Sequence, residues 1–68
     1  MFNKGSNVSW KWGKGIGRGT IAEVYTEPVS VEIKGTLIRR KASEANPGYL
    51  IQQANGNIVL KLDSQLQK

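Results

Sequence analysis

An all-β fold, a small antiparallel barrel, is what this 68-residue chain predicts. Three observations point to it. Apolar residues recur at every second position in short stretches, the period of strands with one buried face. Glycine, proline and asparagine turns separate those stretches. Asn55-Gly56 stands between two apolar runs, and Asn-Gly is the strongest short-range hairpin signal because a type I′ turn needs φ > 0 at both central residues.

Ser6 to Trp12 reads as the first strand, with Val8, Trp10 and Trp12 on one side and Ser9 and Lys11 on the other. Trp10 is expected to be the more buried indole, and Trp12, next to Gly13, is expected at the rim. Gly13 to Gly19 carries four glycines in seven residues and is read as a mobile loop rather than a strand or helix. It lacks the Gly-Lys-Ser/Thr ending of a phosphate-binding loop, and no helix follows it. Lys14 and Arg18 give that loop positive charge.

Thr20 to Thr26 is the second strand, rich in β-branched and aromatic residues. Ile21 and Val24 are three apart, so a bulge near Ala22-Glu23 is expected to bring both to the core. Glu27-Pro28 ends the strand, since proline donates nothing to a ladder. Val29, Val31 and Ile33 alternate through the third strand, Lys34-Gly35 turns, and Thr36 to Arg40 returns as the fourth.

Ala42 to Gly48 is a loop of turn formers. Tyr49 to Leu62 forms the central hairpin. With Asn55-Gly56 as a two-residue turn, Ile51 faces Leu60, Tyr49 faces Leu62 and Gln53 faces Ile58. Tyr49, Ile51, Ile58, Leu60 and Leu62 then share the core face, and Leu50, Gln52, Val59 and Lys61 take the other. Asp63 to Leu66 reads as one helical turn with Asp63 or Ser64 as N-cap and Leu66 packed back on the barrel. The whole, residues 1–68, is one SH3-like domain, with 1–5 and 67–68 expected to fray.

The chain has neither Cys nor His, so the thiolate and imidazole ligands of a zinc site are missing, and no cofactor or metal is expected. The usual general base and the strongest nucleophile are missing too, which argues against an enzyme. Glu23, Glu27, Glu32, Glu44 and Asp63 are scattered. Glu23 and Glu27 lie about 13 Å apart along a strand, too far for a glycosidase pair. The N-terminus has no apolar core of a signal peptide, and no apolar run reaches about 18 residues, so a cytoplasmic protein without a membrane span is expected.

Ten Lys and Arg against five Asp and Glu leave a net charge of +5. That balance favours weak attraction to nucleic acid or acidic proteins, and it equally serves solubility. Arg39, Arg40 and Lys41 form the densest basic run. Alternation sends Arg39 and Lys41 to one side and Arg40 to the other, so the run reads either as a phosphate-contacting patch or as charged protection of a sheet edge.

Val8-Ser9-Trp10-Lys11-Trp12-Gly13 and Gly19 to Thr26, followed by Ile33-Lys34-Gly35-Thr36, Asn46-Pro47, Val59-Leu60-Lys61 and Ser64-Gln65-Leu66, together resemble the hypervirulence-associated protein TUDOR-domain family. The likeness runs from about Ser6 to Leu66. It departs at Gln65, where the family pattern has an acidic residue. The resemblance implies a Tudor-like, SH3-like barrel of small bacterial and fungal proteins and brings no catalytic residues. Tudor domains at large hold methylated lysine or arginine in an aromatic cage by cation–π attraction. The chain's aromatics, Phe2, Trp10, Trp12, Tyr25 and Tyr49, must also fill the core.

A non-catalytic binding module is therefore expected, recognising a protein or peptide through a rim formed by Trp12, Lys14, Arg18, Tyr25 and Tyr49. Two alternatives stand beside it. One is weak, non-specific nucleic-acid binding through basic residues, which needs Lys11, Lys14, Arg18 and Lys61 or Arg39 to Lys41 to form one face beside an exposed aromatic. The other is a structural domain that self-associates through edge strands, so that monomer and homodimer are both open.

Overall fold

The computed structural model describes residues 2–67 and is nearly all β. Its strands are β1 (Asn7–Trp12), β2 (Gly15–Tyr25), β3 (Val29–Ile33), β4 (Thr36–Arg40), β5 (Gly48–Gln52) and β6 (Ile58–Leu62), followed by a 3-10 turn at Asp63–Gln65. An antiparallel sheet in the order β1-β2-β5-β6 curls into a half-barrel, and β3-β4 forms a separate hairpin. The architecture is that of a small SH3-like barrel.

The glycine-rich stretch is a strand, not a loop. β2 begins at Gly15, and β1 pairs with it so that Trp12 faces Gly15, Trp10 faces Gly17 and Val8 faces Gly19. The glycines recur with period two and occupy the inner face, where large neighbours press on the backbone. A Cβ on Gly17 would overlap the Trp10 indole, and one on Gly19 would lie 2.8 Å from the Gln52 carbonyl oxygen. Glycine inside a strand here marks close approach rather than freedom. At the other end of β2 the expected bulge is present between Ile21 and Glu23. It brings Ile21 into the core, while Val24 stays at the exposed margin.

The turn chemistry is exchanged between two hairpins. Lys34 and Gly35, at φ 50° and 78°, make the two-residue type I′ turn. The β5–β6 loop instead has three residues, Ala54-Asn55-Gly56, with Gly56 in the left-handed region at φ 87°. The Gln53 N–H donates to the Asn57 carbonyl at 2.8 Å and the Gly56 N–H to the Gln53 carbonyl at 3.0 Å. The Asn55 carboxamide accepts the Asn57 N–H at 2.9 Å, a local bond that favours this longer turn.

One extra loop residue shifts the register, so Tyr49 faces Lys61, Leu50 faces Leu60 and Ile51 faces Val59. Tyr49 and Ile51 thus share a face with Val59 and Lys61, not with Leu60 and Leu62. Leu60 is buried all the same, because both faces of this hairpin are covered. The inner face packs Tyr49 and Ile51 against Val8, Trp10, Ile21 and Leu66, with Phe2 and Val59 alongside. The other face meets the β3–β4 hairpin and Ala42; a Cβ on Gly48 would touch Ala42, Val29 and Leu62. Ile58, expected in the core, is exposed at the sheet margin.

Tyr49 latches the two chain ends. Its hydroxyl donates to buried Asp63 Oδ1 at 3.0 Å and accepts the Phe2 N–H at 3.1 Å. The rings of Phe2 and Tyr49 meet edge to face at 5.8 Å. Asp63 is consequently not the cap of the final turn. The Leu62 N–H donates to Gln65 Oε1 at 2.8 Å, and Asn46 Oδ1 accepts the Ser64 N–H at 3.0 Å. Gln65 thus supplies the side-chain oxygen acceptor there.

Backbone hydrogen bonds reach into both end segments. The Gly5 N–H donates to the Ile21 carbonyl and the Gln67 N–H to the Ser9 carbonyl, both at 2.8 Å. Met1 and Lys68 lie outside the described residues.

Candidate functional site

The β1–β2 hairpin separates the two tryptophans as expected. Trp10 is 4% exposed and Trp12 62%. Both indoles lie on the inner face over glycine, but Trp10 packs in the core cluster with Tyr49 and Ile51, whereas Trp12 stands outside that cluster. Its indole rests over Gly15, 3.5 Å from where a Cβ would be. The glycine thus gives the ring a flat seat while leaving its other face open.

Trp10 and Trp12 line a hollow of about 310 Å³ together with Gln53, Asn55, Asn57 and Val59. An open indole, an apolar floor and three carboxamides are therefore gathered at one end of the barrel. Carboxamides both donate and accept, so this set can match a peptide backbone as well as polar side chains. The amides were not legible as site residues, because Asn55 read as a turn former and Gln53 as a paired strand position.

The proposed rim is only partly assembled. Lys14 is exposed in the β1–β2 turn, beside the end of the strand carrying Trp12. Arg18 pairs with Ser9, one position out of phase with Trp10 and Trp12, and so lies on the outer face. There it lines a groove of about 650 Å³ with Asn7, Thr20, Gln52, Ala54 and Gln67. Tyr25 is at the far end of β2, opposite Gly48. Tyr49 is fully buried and engaged with Asp63 and Phe2, so it is a core residue and not part of the rim. The five aromatics do not converge on one surface, and the described ring contact, Phe2 with Tyr49, is inside the core.

The basic run is also divided. Arg39 and Lys41 are exposed, but Arg40 turns inward, its Nε donating to the Leu60 carbonyl at 3.2 Å and its Nη1 to the Arg39 carbonyl at 2.9 Å. Strand alternation, anticipated for this run, withdraws Arg40 from any common patch with its neighbours. Among the described residues no group of three or more His, Cys, Asp or Glu gathers as a metal site would require, and no helix is long and apolar enough to cross a membrane.

The model of the TUDOR domain of hypervirulence associated proteins matches residues 5–66. No match was found among curated proteins or among solved structures. Covering nearly the whole chain, the family match agrees with the barrel: this chain belongs to the hypervirulence associated proteins TUDOR domain family.

Proposed function

We propose that this TUDOR-family domain is a non-catalytic module that binds a protein or peptide at the Trp12 end of its barrel. Its membership of a Tudor-like family points to a small binding module. The observation that carries the finer reading is the exposed Trp12 indole, seated on Gly15 beside the carboxamides of Gln53, Asn55 and Asn57. A rigid, amphipathic ring loses little conformational entropy on binding and supplies a large contact area. Exposed apolar area of this kind, rimmed by polar groups, favours a partner over bulk water.

A displayed library of unstructured peptides, selected on the domain, tests this reading. Selected peptides should lose at least about tenfold in affinity for Trp12→Ala, or about 1.4 kcal/mol, while the variant's melting curve stays close to that of the parent. Peptides that bind Trp12→Ala as tightly as the parent would refute the site.

Weak nucleic-acid binding has one observation in its favour. Lys11, Lys14 and Arg18 lie on the β1–β2 hairpin, which carries no acidic residue before Glu23. Lys11 and Arg18 share the face opposite Trp12, however, so cations and indole do not form one stacking platform. Any retardation of an oligonucleotide in a gel should be non-specific and should vanish at about 0.2 M salt.

A further inference from the structure

β1 is an end strand of its sheet, so one of its edges has no neighbouring strand. The two-residue turn at Gly13-Lys14 pairs Trp12 with Gly15, and the alternation of an antiparallel ladder follows from that pair. Val8, Trp10 and Trp12 turn their N–H and C=O groups towards β2, while Asn7, Ser9 and Lys11 turn theirs to the edge. Two bonds agree with this phase. The Ser6 carbonyl accepts the Ile21 N–H on the β2 side at 2.9 Å, and the Ser9 carbonyl accepts the Gln67 N–H on the edge side at 2.8 Å. The segment after the 3-10 turn thus already lies on part of this edge through its main chain. Two residues further along, the N–H and C=O of Lys11 carry no hydrogen bond among the described residues, and Lys11 is exposed.

The surroundings of Lys11 select what can pair with it. On the inner face its neighbour is Trp12, open to solvent at the margin of the hollow. On the outer face Lys11 stands diagonally to Arg18, and exposed Lys14 follows in the turn. No acidic residue lies between Ser6 and Ala22, and the ion pair found among the described residues is elsewhere, Lys4 with Glu23. A second copy of β1 would set Lys11 against Lys11, and like charges directly opposite are destabilising. A lysine on an open edge discourages such pairing and leaves an acidic strand as the complement.

We propose that the Lys11 edge takes a short extended segment of an acidic partner protein, added antiparallel to β1, with a carboxylate opposite Lys11 and an apolar side chain on Trp12. This rests on the Trp12 end being the binding site and names the chemistry of its partner. In antiparallel pairing one partner residue exchanges both bonds with Lys11, whereas parallel pairing needs two residues. That residue's side chain shares the outer face with Lys11, where opposite charges pair across strands. The strands run in opposite directions, so the residue opposite Trp12 is the one before it in the partner's chain. Their pair is of the non-hydrogen-bonded kind, with Cα atoms about 4.5 Å apart and side chains closest, which sets an aliphatic group against the open indole. The expected order is therefore apolar, then acidic. Main-chain bonds hold the segment and its alternate side chains select it.

The probe is a capped synthetic heptapeptide with Leu-Glu at its centre and serine and threonine elsewhere, titrated into the isotopically labelled domain. The Lys11 and Trp12 amides and the Trp12 indole N–H should shift, and exchange of the Lys11 amide should slow. N-methylation of the glutamate amide removes the N–H that faces the Lys11 carbonyl and should lower affinity at least about tenfold. Reversing the pair to Glu-Leu, or replacing glutamate by lysine, should lower it about fivefold. Lys11→Glu should do the same, whereas Lys41→Gln, a charge change beyond the end of β4, should leave affinity unchanged. The peptide changes leave the domain intact, so the outcome does not depend on a variant folding. An absence of binding, equal binding of the N-methylated or reversed peptide, or stronger perturbation of the same amides by a single-stranded oligonucleotide would overturn the proposal. Equal binding of the N-methylated peptide together with a loss in Trp12→Ala would overturn the added strand and leave the Trp12 site standing. Undiminished binding to Trp12→Ala would overturn both.

Discussion

The β1–β2 and β3–β4 hairpins are both antiparallel ribbons closed by two-residue turns containing glycine, yet they are packed on contrary plans. β1–β2 has Val8, Trp10 and Ile21 fully inside, and glycine rather than a side chain opposite each indole. β3–β4 contains no fully buried residue; its inner positions are half-exposed throughout. The first hairpin is continuous with β5 through the ladder, while the second lies on β5–β6 through side chains and the Arg40 bridge. Rigidity and openness are thereby assigned to different ribbons. The core is built where the glycines let aromatic rings press on backbone, and the ladder is interrupted where packing is thin.

If that contrast is right, the most damaging substitutions lie at the β1–β2–β5 junction. Ile51→Ala should cost about 2–5 kcal/mol, because it empties space in the fully buried layer shared with Ile21 and Tyr49. Gly17→Ala should be comparably harmful by the opposite route, since its methyl must displace the Trp10 indole. Urea melts of both variants read these losses. A stable Gly17→Ala domain would mean that the indole can move, and the first hairpin would not be the rigid one.

Tyr49→Phe probes the latch within the same half. It keeps the ring packed on Phe2 but removes a donor to the buried Asp63 carboxylate, at an expected cost of about 1–3 kcal/mol. On the open side, Arg40→Ala should cost about 0.5–1.5 kcal/mol, as two partly solvated hydrogen bonds are lost. Its clearer signature should be faster amide exchange across β3–β4 with the β1–β2–β5 amides still protected. Uniform loss of protection would show that the two ribbons unfold together.

Much of the thin half was legible in the sequence. Val29, Val31 and Ile33 alternate without interruption, and Lys34-Gly35 turns where two such runs meet. The bulge after Ile21 was legible too, because Ile21 and Val24 are out of phase by one. What escaped depends on partners distant in sequence. Gly15, Gly17 and Gly19 have no strand propensity of their own and form a strand because Trp12, Trp10 and Ile51 cover them. The spacing of two between these glycines, matching that of the tryptophans, was the available sign. At the central hairpin, Asn55 uses its carboxamide on Asn57 and lengthens the turn by one residue, which exchanges the faces of Val59 and Leu60. The Trp12 position was readable from alternation and its nearness to Gly13, whereas the Arg40 bridge joins strands from separate sheets and has no local signature.

Trp12 gives the smallest expected effect on stability and the sharpest division between folding and binding. Both indoles occupy the same face of β1 over glycine, so local sequence treats them alike; their exposures of 4% and 62% arise from what lies above them. Trp10 packs in the core cluster with Tyr49 and Ile51, and removing it should cost about 3–5 kcal/mol. Trp12 touches Gly15 and the margin of the loop hollow, so Trp12→Ala forfeits little buried area and should cost under about 1 kcal/mol. Single-tryptophan variants made by replacing the other indole with phenylalanine allow acrylamide quenching to read each site. The Trp12 emission should be quenched strongly and the Trp10 emission weakly. A shielded Trp12 with an accessible Trp10 would reverse the assignment, and a Trp12→Ala domain that melts as early as Trp10→Ala would make Trp12 part of the core and remove it as a contact for a partner.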